Sequence, residues 1–492
     1  MINCLKELEG ERMDLTGSIG IRDGFQFQYR YLVGEGRVTE EALQALQPAM
    51  DKAAKAVRAI RSEGFSKAHL SKDGTPEHVY FPRQAYLAEG NPNDEASVRR
   101  LEELGASWKD TVDAAVFIGI GGSYLGDKVI FDLAAKPYWN QLPKKERNGY
   151  PQIYFAGNNV DGVALQGLMR QLTLQAQHVK HPLHIQLVPI SKSGTTMEPL
   201  TSFAALLNYM KSHPEWFTVD VTAVTGLDAK ESLLYRLAQE NNWPAYSIPE
   251  GIGGRFCILS NPGLLMCAAL GYDIRALLDG AREMSELCLA TEGTDNPALL
   301  NASLKYLAAE KLGADIEVLM GYGDTLQCLG AWYVQLLAES LGKRLDRNGK
   351  TAFYGRTPVV AVGTTDMHSM TQQHQDGKRN KVIQFLEVAK PAESITVTNP
   401  FPQEKAFALY AGKEMNVLLQ AALKANETAL TEDGRLNARY VLPELAPRYV
   451  GQLLMFLMYS IAYEGELADV DAYDQPGVEA YKRIMKAELA KA

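Results

Sequence analysis

From about residue 111 the chain alternates short, uniformly apolar runs with longer amphipathic ones. AAVFIGI is followed by SYLGDKVIFDLAA, PQIYFAG by GVALQGLMRQLT, HIQLVPI by EPLTSFAALLNYM, and FTVDVTAVTG by KESLLYRLAQEN. A run that is apolar at every position has no face to turn to water, and helix-length connections let successive runs pair in parallel. The pattern therefore predicts parallel sheets covered on both faces by helices. A second series begins near residue 314, where DIEVLMGY leads into LGAWYVQLLAESLGK and RTPVVAVG into HSMTQQHQ, and KVIQFLEV closes it. A chain of 492 residues exceeds one ordinary core, so two α/β units are expected. The segment before residue 70, with TEEALQALQPAMDKAAKAVRAIRSEG, reads as an added helical layer, and the tail from about residue 405 as mostly helical. No stretch has the composition of a long flexible linker, which predicts close packing of the units.

Composition narrows the function classes. Lys and Arg number 50 against 59 Asp and Glu, a formal charge of −9, which argues against nucleic acid or an anionic membrane as the main partner. Cys4, Cys257, Cys267, Cys288 and Cys328 are an odd set at wide spacings without a CxxC pair, which suggests neither a disulfide framework nor a zinc ribbon and fits reduced thiols in the cytoplasm. The N-terminal MINCLKELEGERMD becomes charged too soon for the apolar core of a secretory signal. The most lipid-like run, LLMFLMYSIAY at residues 453–463, is shorter than the roughly 20 residues of a spanning helix and reads as a buried core helix.

Ligands of open α/β sheets sit at the carboxyl ends of the strands, where helix N-termini also point. ISKSGTTMEP, residues 190–199, occupies such a place: backbone amides, hydroxyls and a glycine make it either a phosphate cradle or a Ser/Thr-rich capping turn. GIGGSYLG, residues 119–126, fails the dinucleotide fingerprint because Tyr124 stands at the third glycine position. It reads as a tight turn that faces Ser123 and backbone amides toward a small ligand, or as glycine required by packing alone. GIGGRF sets Arg255 beside permissive backbone, where it would meet an anion or simply the surface. On the helical reading of AWYVQLLAESLGK, Gln335, Glu339 and Lys343 fall four apart, either a solvated stripe with a Glu-to-Lys pair or a carboxylate held in a partly dry cleft. His368 follows Asp366 at the end of TPVVAVG, a good place for a catalytic imidazole. His178, His181 and His184 invite a metal, but Pro182 interrupts any helix that would gather them, which favours a polar loop. YDQPGVEAYKRI places Pro476 in a first helical turn with Lys482 further along, or is a surface helix with Glu479 and Arg483 paired.

Taken in order, GIGGSYLG, SKSGTTMEP, GGRF, QLLAESLGK, TTDMHS and DQPGVEAYK make the chain resemble the phosphoglucose isomerase family over residues 115–485. These double sugar-isomerase-domain enzymes interconvert glucose 6-phosphate and fructose 6-phosphate. The resemblance implies two three-layer α/β/α domains of flavodoxin-like type with parallel sheets, plus helical N- and C-terminal extensions. It divides the chain into a helical extension at 1–74 packing on the second domain, domains at 75–280 and 281–460, and a C-terminal helical segment at 461–492. It assigns Glu339, His368, Lys482 and Arg255 to catalysis, and Gly122, Ser123, Ser191, Lys192, Ser193, Thr196, Gln335 and Gln475 to substrate binding. It further implies no metal or other cofactor, a cytoplasmic enzyme, and a homodimer in which the histidine serves the neighbouring subunit's site. Cys257 stands after GGRF where the family commonly has a small hydroxyl residue, which bears on substrate preference. Another phosphosugar aldose–ketose isomerase, or a non-catalytic sugar-phosphate sensor, is the alternative.

Overall fold

The computed structural model describes residues 17–71 and 73–491, and Cys4 with the charged N-terminal stretch lies outside them. The chain forms two compact units, one of residues 60–279 and the other of residues 280–492 together with the N-terminal part up to residue 59.

The 60–279 unit is built on a four-stranded parallel sheet in the order Gln152–Ala156, Ala114–Ile118, Leu183–Pro189, Phe217–Val221. Every residue of the central Ala114–Ile118 strand is buried, as its unbroken apolar sequence requires. Leu206, Phe203 and Met210 of the Met197–Lys211 helix close over Ile185 and Leu187, forming one core with Val116 and Leu172. The apolar run near residue 220 is two strands rather than one: Phe217–Val221 ends, and Ala223–Thr225 pairs in parallel with Ala245–Ser247.

The other unit holds a six-stranded mixed sheet, ordered Ser18–Gly20, Gln26–Gln28, Asn437–Leu442, Lys381–Val388, Ile316–Tyr322, Thr357–Gly363. Its last four strands are parallel and the first two antiparallel. Two of these features depart from the sequence reading. The N-terminal segment contributes two short strands as well as the Glu40–Glu63 helix, and the tail contributes the strand Asn437–Leu442. Neither shows as an apolar run, because Gln26–Gln28 is mostly polar and Arg439 interrupts the other; Arg439 is accepted there because Glu387, at 2.7 Å, and Glu427 pair with it.

The run at residues 453–463 lies in the Pro447–Leu467 helix and is buried throughout. Beside it sits a charge cluster of Lys305, Glu317, Arg356 and Glu464, each nearly or fully inaccessible. Arg356 donates through Nε (2.7 Å) and Nη2 (2.5 Å) to Glu464 and pairs with Glu317, which Lys305 also contacts. Burial favours the protonated form of Glu317, but Lys305 and Arg356 outweigh it and hold its carboxyl at about 2. Tyr333 of the Gln327–Leu341 helix donates to the same carboxylate at 3.1 Å, tying that helix to the cluster. Among the described residues, no helix is long and apolar enough to cross a membrane.

Candidate active site

In the 60–279 unit, two loops leave the carboxyl ends of adjacent strands and run directly into helices. After Leu183–Pro189, residues 190–196 turn back on themselves before Met197–Lys211. Ser191 is buried; its hydroxyl accepts from Gly194 N–H at 3.1 Å and donates to Thr196 Oγ1 at 3.2 Å, so it holds the turn's shape. Gly194 has φ of +67°, and a Cβ there would lie 2.3 Å from the Leu234 nitrogen, so no other residue type fits. From beneath, Thr225 Oγ1 donates to the Ser191 carbonyl at 2.7 Å and shares a 2.6 Å hydrogen bond with Ser232 Oγ. Lys192, Ser193 and Thr195 remain exposed, with the last two hydroxyls 2.9 Å apart. Thr196 stands at the helix N-cap without capping it through its own side chain, leaving the first-turn amides to face an anion.

The companion loop follows Ala114–Ile118 and begins the Gly122–Ala134 helix, with Gly121 at the N-cap at φ of +57° and Ser123 partly exposed in the first turn. A Cβ on Gly122 would come within 1.8 Å of the Gly254 carbonyl oxygen. This glycine therefore serves close packing: it lets the helix start lie against the 3-10 turn Gly254–Leu259 that carries Arg255. Arg255 is fully buried, its guanidinium 5.4 Å from the centre of the Phe256 ring. In the same helix Asp127 is buried with neither carboxylate oxygen hydrogen-bonded, and burial pushes its pKa well up.

The remaining candidates belong to the other unit. Glu339 lies in the last turn of Gln327–Leu341, half-buried, and accepts a hydrogen bond from Gln335 Nε2 at 3.2 Å. Lys343, beyond the helix end, does not complete a solvated stripe. It is buried and donates to the Glu339 carbonyl at 2.9 Å and the Asp474 carbonyl at 2.6 Å, with the Asp474 carboxylate at 2.7 Å. It thereby straps the segment carrying Gln475 to the turn carrying Glu339. Gln475 itself is exposed ahead of the 3-10 turn Pro476–Val478. Lys482, on the exposed helix Glu479–Leu489, pairs with Glu479 at 3.1 Å, so the pairing with Arg483 expected on a plain surface helix is not the one formed.

His368 is exposed in the loop after Thr357–Gly363. Asp366 shapes this loop: its carboxylate accepts from Val362 N–H at 2.8 Å and from Ser369 Oγ at 2.7 Å. The three histidines of the sequence cluster do not converge on one helix, and His184 lies on a strand with Nε2 2.8 Å from Asp220. The supports from Thr225, Ser232 and Lys343 escaped the sequence reading. Only Lys343 left a trace, as the third member of a polar stripe.

A parallel sheet with glycine- and hydroxyl-rich loops at its carboxyl ends in one unit, and a sheet with four parallel strands in the other, define an α/β protein of the doubled sugar-isomerase-domain class. The phosphoglucose isomerase family model matches residues 96–491. A glucose-6-phosphate isomerase of Carboxydothermus hydrogenoformans is 36% identical over 398 residues, 81% of this chain and 83% of the relative. One from Rubrobacter xylanophilus is 32% identical over 94% of this chain and 98% of its own length. Among solved structures, a hypothetical protein of Thermus thermophilus superposes with a TM-score of 0.76 at 29% identity, covering 95% of this chain and all of that one. A glucose-6-phosphate isomerase of Chlamydia trachomatis shares the fold, with a TM-score of 0.76 at 21% identity, over 99% of this chain and 95% of its own. The chain belongs to the phosphoglucose isomerase family.

Proposed function

We propose that Glu339 is the base with which this protein moves a proton between C2 and C1 of a hexose 6-phosphate. As a member of its family, the protein is an aldose–ketose isomerase that reversibly converts D-glucose 6-phosphate to D-fructose 6-phosphate. The observation that carries the residue assignment is the anchoring of Glu339, through its side chain by Gln335 and through its carbonyl by Lys343. A carboxylate so held meets the orientation demand of proton abstraction.

Sugar phosphates are mostly cyclic, so the ring opens first: His368 and Lys482 exchange protons with the anomeric hydroxyl and the ring oxygen. Glu339 then takes the C2 proton of the open aldose, leaving a cis-enediolate with its charge on O1; the hydroxyl proton passes from O2 to O1, and Glu339 returns its proton to C1, which leaves the C2 ketone. Arg255 offsets the enediolate charge, which a buried guanidinium does more strongly than one in water. Ser123, Ser191, Lys192, Ser193 and Thr196 form the phosphate site, Ser191 by holding its turn in shape, with Gly122 beside it at the helix start, and Gln335 and Gln475 bind the sugar. No step transfers electrons to a separate carrier, so the scheme needs no redox cofactor, and side chains supply the work a metal would do. We place the enzyme in the cytoplasm, as a homodimer whose His368 serves the neighbouring subunit.

A coupled assay of fructose 6-phosphate conversion, with and without EDTA, tests this beside Glu339→Gln. Undiminished activity after chelation is expected, with retained sugar-phosphate binding but a loss of kcat of about 10²- to 10⁴-fold in the variant. Near-normal turnover in Glu339→Gln would remove it from the role of base, and loss of activity in EDTA restored by a divalent ion would defeat the metal-free scheme.

A further inference from the structure

Apart from the loops described above, the unit containing residues 280–492 holds a cavity of about 190 Å³ lined by His374, Lys378, Arg379, Lys381 and Arg435, with small neighbours including Gly36 and Gly434. Its position follows from the sheet register. Lys381 opens the strand Lys381–Val388 opposite Ile316, and Leu436 precedes Asn437–Leu442, so the cavity lies at the amino ends of the parallel strands. His368 follows the carboxyl end of Thr357–Gly363, and strands of seven or eight residues separate the two ends by about 20 Å.

The lining carries more positive charge than it neutralises. Arg379 and Arg435 share Asp433, at 2.9 and 2.7 Å. Lys381 instead reaches neutral oxygens, the Lys378 carbonyl at 3.2 Å and Asn380 Oδ1 at 3.1 Å, and Lys378 is exposed. Burial, Arg435 and Lys378 all lower the pKa of Lys381, the signature of a crowded cation that an anion would relieve, with Asp315 opposing them. The second observation is His374: 2% exposed, lining the cavity, with neither ring nitrogen hydrogen-bonded. A buried imidazole is ordinarily satisfied, and an N–H donor facing a basic cavity suits an oxyanion.

We propose that this cavity is a second anion site, for a phosphate dianion or the phosphate group of a small monoester, independent of the sugar-phosphate loops. Its volume lies below the roughly 300 Å³ at which drug-sized ligand pockets begin, so it accommodates the anion with little attached body rather than a nucleotide. The fork of Arg435 is already committed to the Gln375 and Gly377 carbonyls, which leaves Lys378, Lys381 and His374 to meet the ligand.

Titration of inorganic phosphate into the full-length protein in chloride buffer, followed by calorimetry, tests the site. Two classes of binding are expected. Lys378→Glu, at an exposed position, should weaken one class at least about tenfold and leave turnover of fructose 6-phosphate in phosphate-free buffer unchanged. Lys192→Ala/Ser193→Ala should weaken the other class alone. Lys381→Gln should repeat the effect of Lys378→Glu, which guards against a peculiarity of charge reversal. Titrating glycerol 3-phosphate in parallel separates the two sources: tighter binding than inorganic phosphate at the cavity assigns a monoester, weaker binding the free ion. A single class, lost with Lys192 and Ser193 and untouched in both cavity variants, overturns the proposal.

Discussion

Two carboxylates in this chain, Glu317 and Asp127, are equally buried and oppositely treated. Glu317 has two cations against it and stays ionised, whereas Asp127 has no hydrogen-bond partner and is driven toward its neutral form. For Asp127 the folded-state pKa lies above the unfolded one, so the native protein binds the extra proton, and stability falls as pH rises through the interval between the two values. Asp127→Asn cannot titrate, and its urea-unfolding free energy should decline less than that of the wild type as pH rises from the ordinary carboxylate range. Parallel declines would show that Asp127 is ionised in the native state at little cost. The same residue illustrates a limit of sequence reading: nothing in GIGGSYLGD distinguishes a surface aspartate from one facing Cys257 and Cys267 inside the protein.

At the scale of elements, the helix Gln327–Leu341 is held at its middle and just beyond its C-terminal end. Near its middle Tyr333 reaches the buried charge cluster, and past its C-terminus Lys343 binds Asp474. Arg356→Met would leave Glu317 and Glu464 with less counter-charge in a dry interior, and a loss of about 3–5 kcal/mol is expected from chemical denaturation, since a broken buried pair costs more than the intact pair contributes. A loss under 1 kcal/mol on the same scale would mean that water reaches the cluster. Lys343→Met keeps the chain length and removes the charge. It should cost about 1–3 kcal/mol and lower kcat several-fold with KM little changed, because the strap fixes the turn of Glu339 rather than the loops proposed to hold the phosphate. An equal rise in KM and no change in kcat would contradict that positioning role. Of these supports only a lysine at the right spacing was legible beforehand, because a strap joins residues 131 positions apart.

For the whole molecule, the assignment of His368 to the neighbouring subunit has a direct test. Glu339→Gln and His368→Ala, each expected to be inactive alone, are mixed, dissociated and reassociated. If the histidine acts across the dimer, heterodimers contain one intact site, and activity should return to about a quarter of the wild-type value. If it acts within its own subunit, every site carries one defect and no activity returns. The alternating apolar runs determined the parallel strands and their covering helices, because a strand buried on both faces is mostly apolar and admits a charge such as Glu317 only where partners pair with it. The glycine and hydroxyl motifs likewise determined where tight strand-to-helix loops fall, since such turns admit few residue types. Tertiary structure alone decided that Gln26–Gln28 and Asn437–Leu442 join the sheet, that Lys343 turns to Asp474, and that four basic residues and His374 line one cavity. Periodicity and turn chemistry are local properties written into neighbouring residues. Edge pairing, ion pairs and cavities depend on groups brought together only when the chain closes on itself.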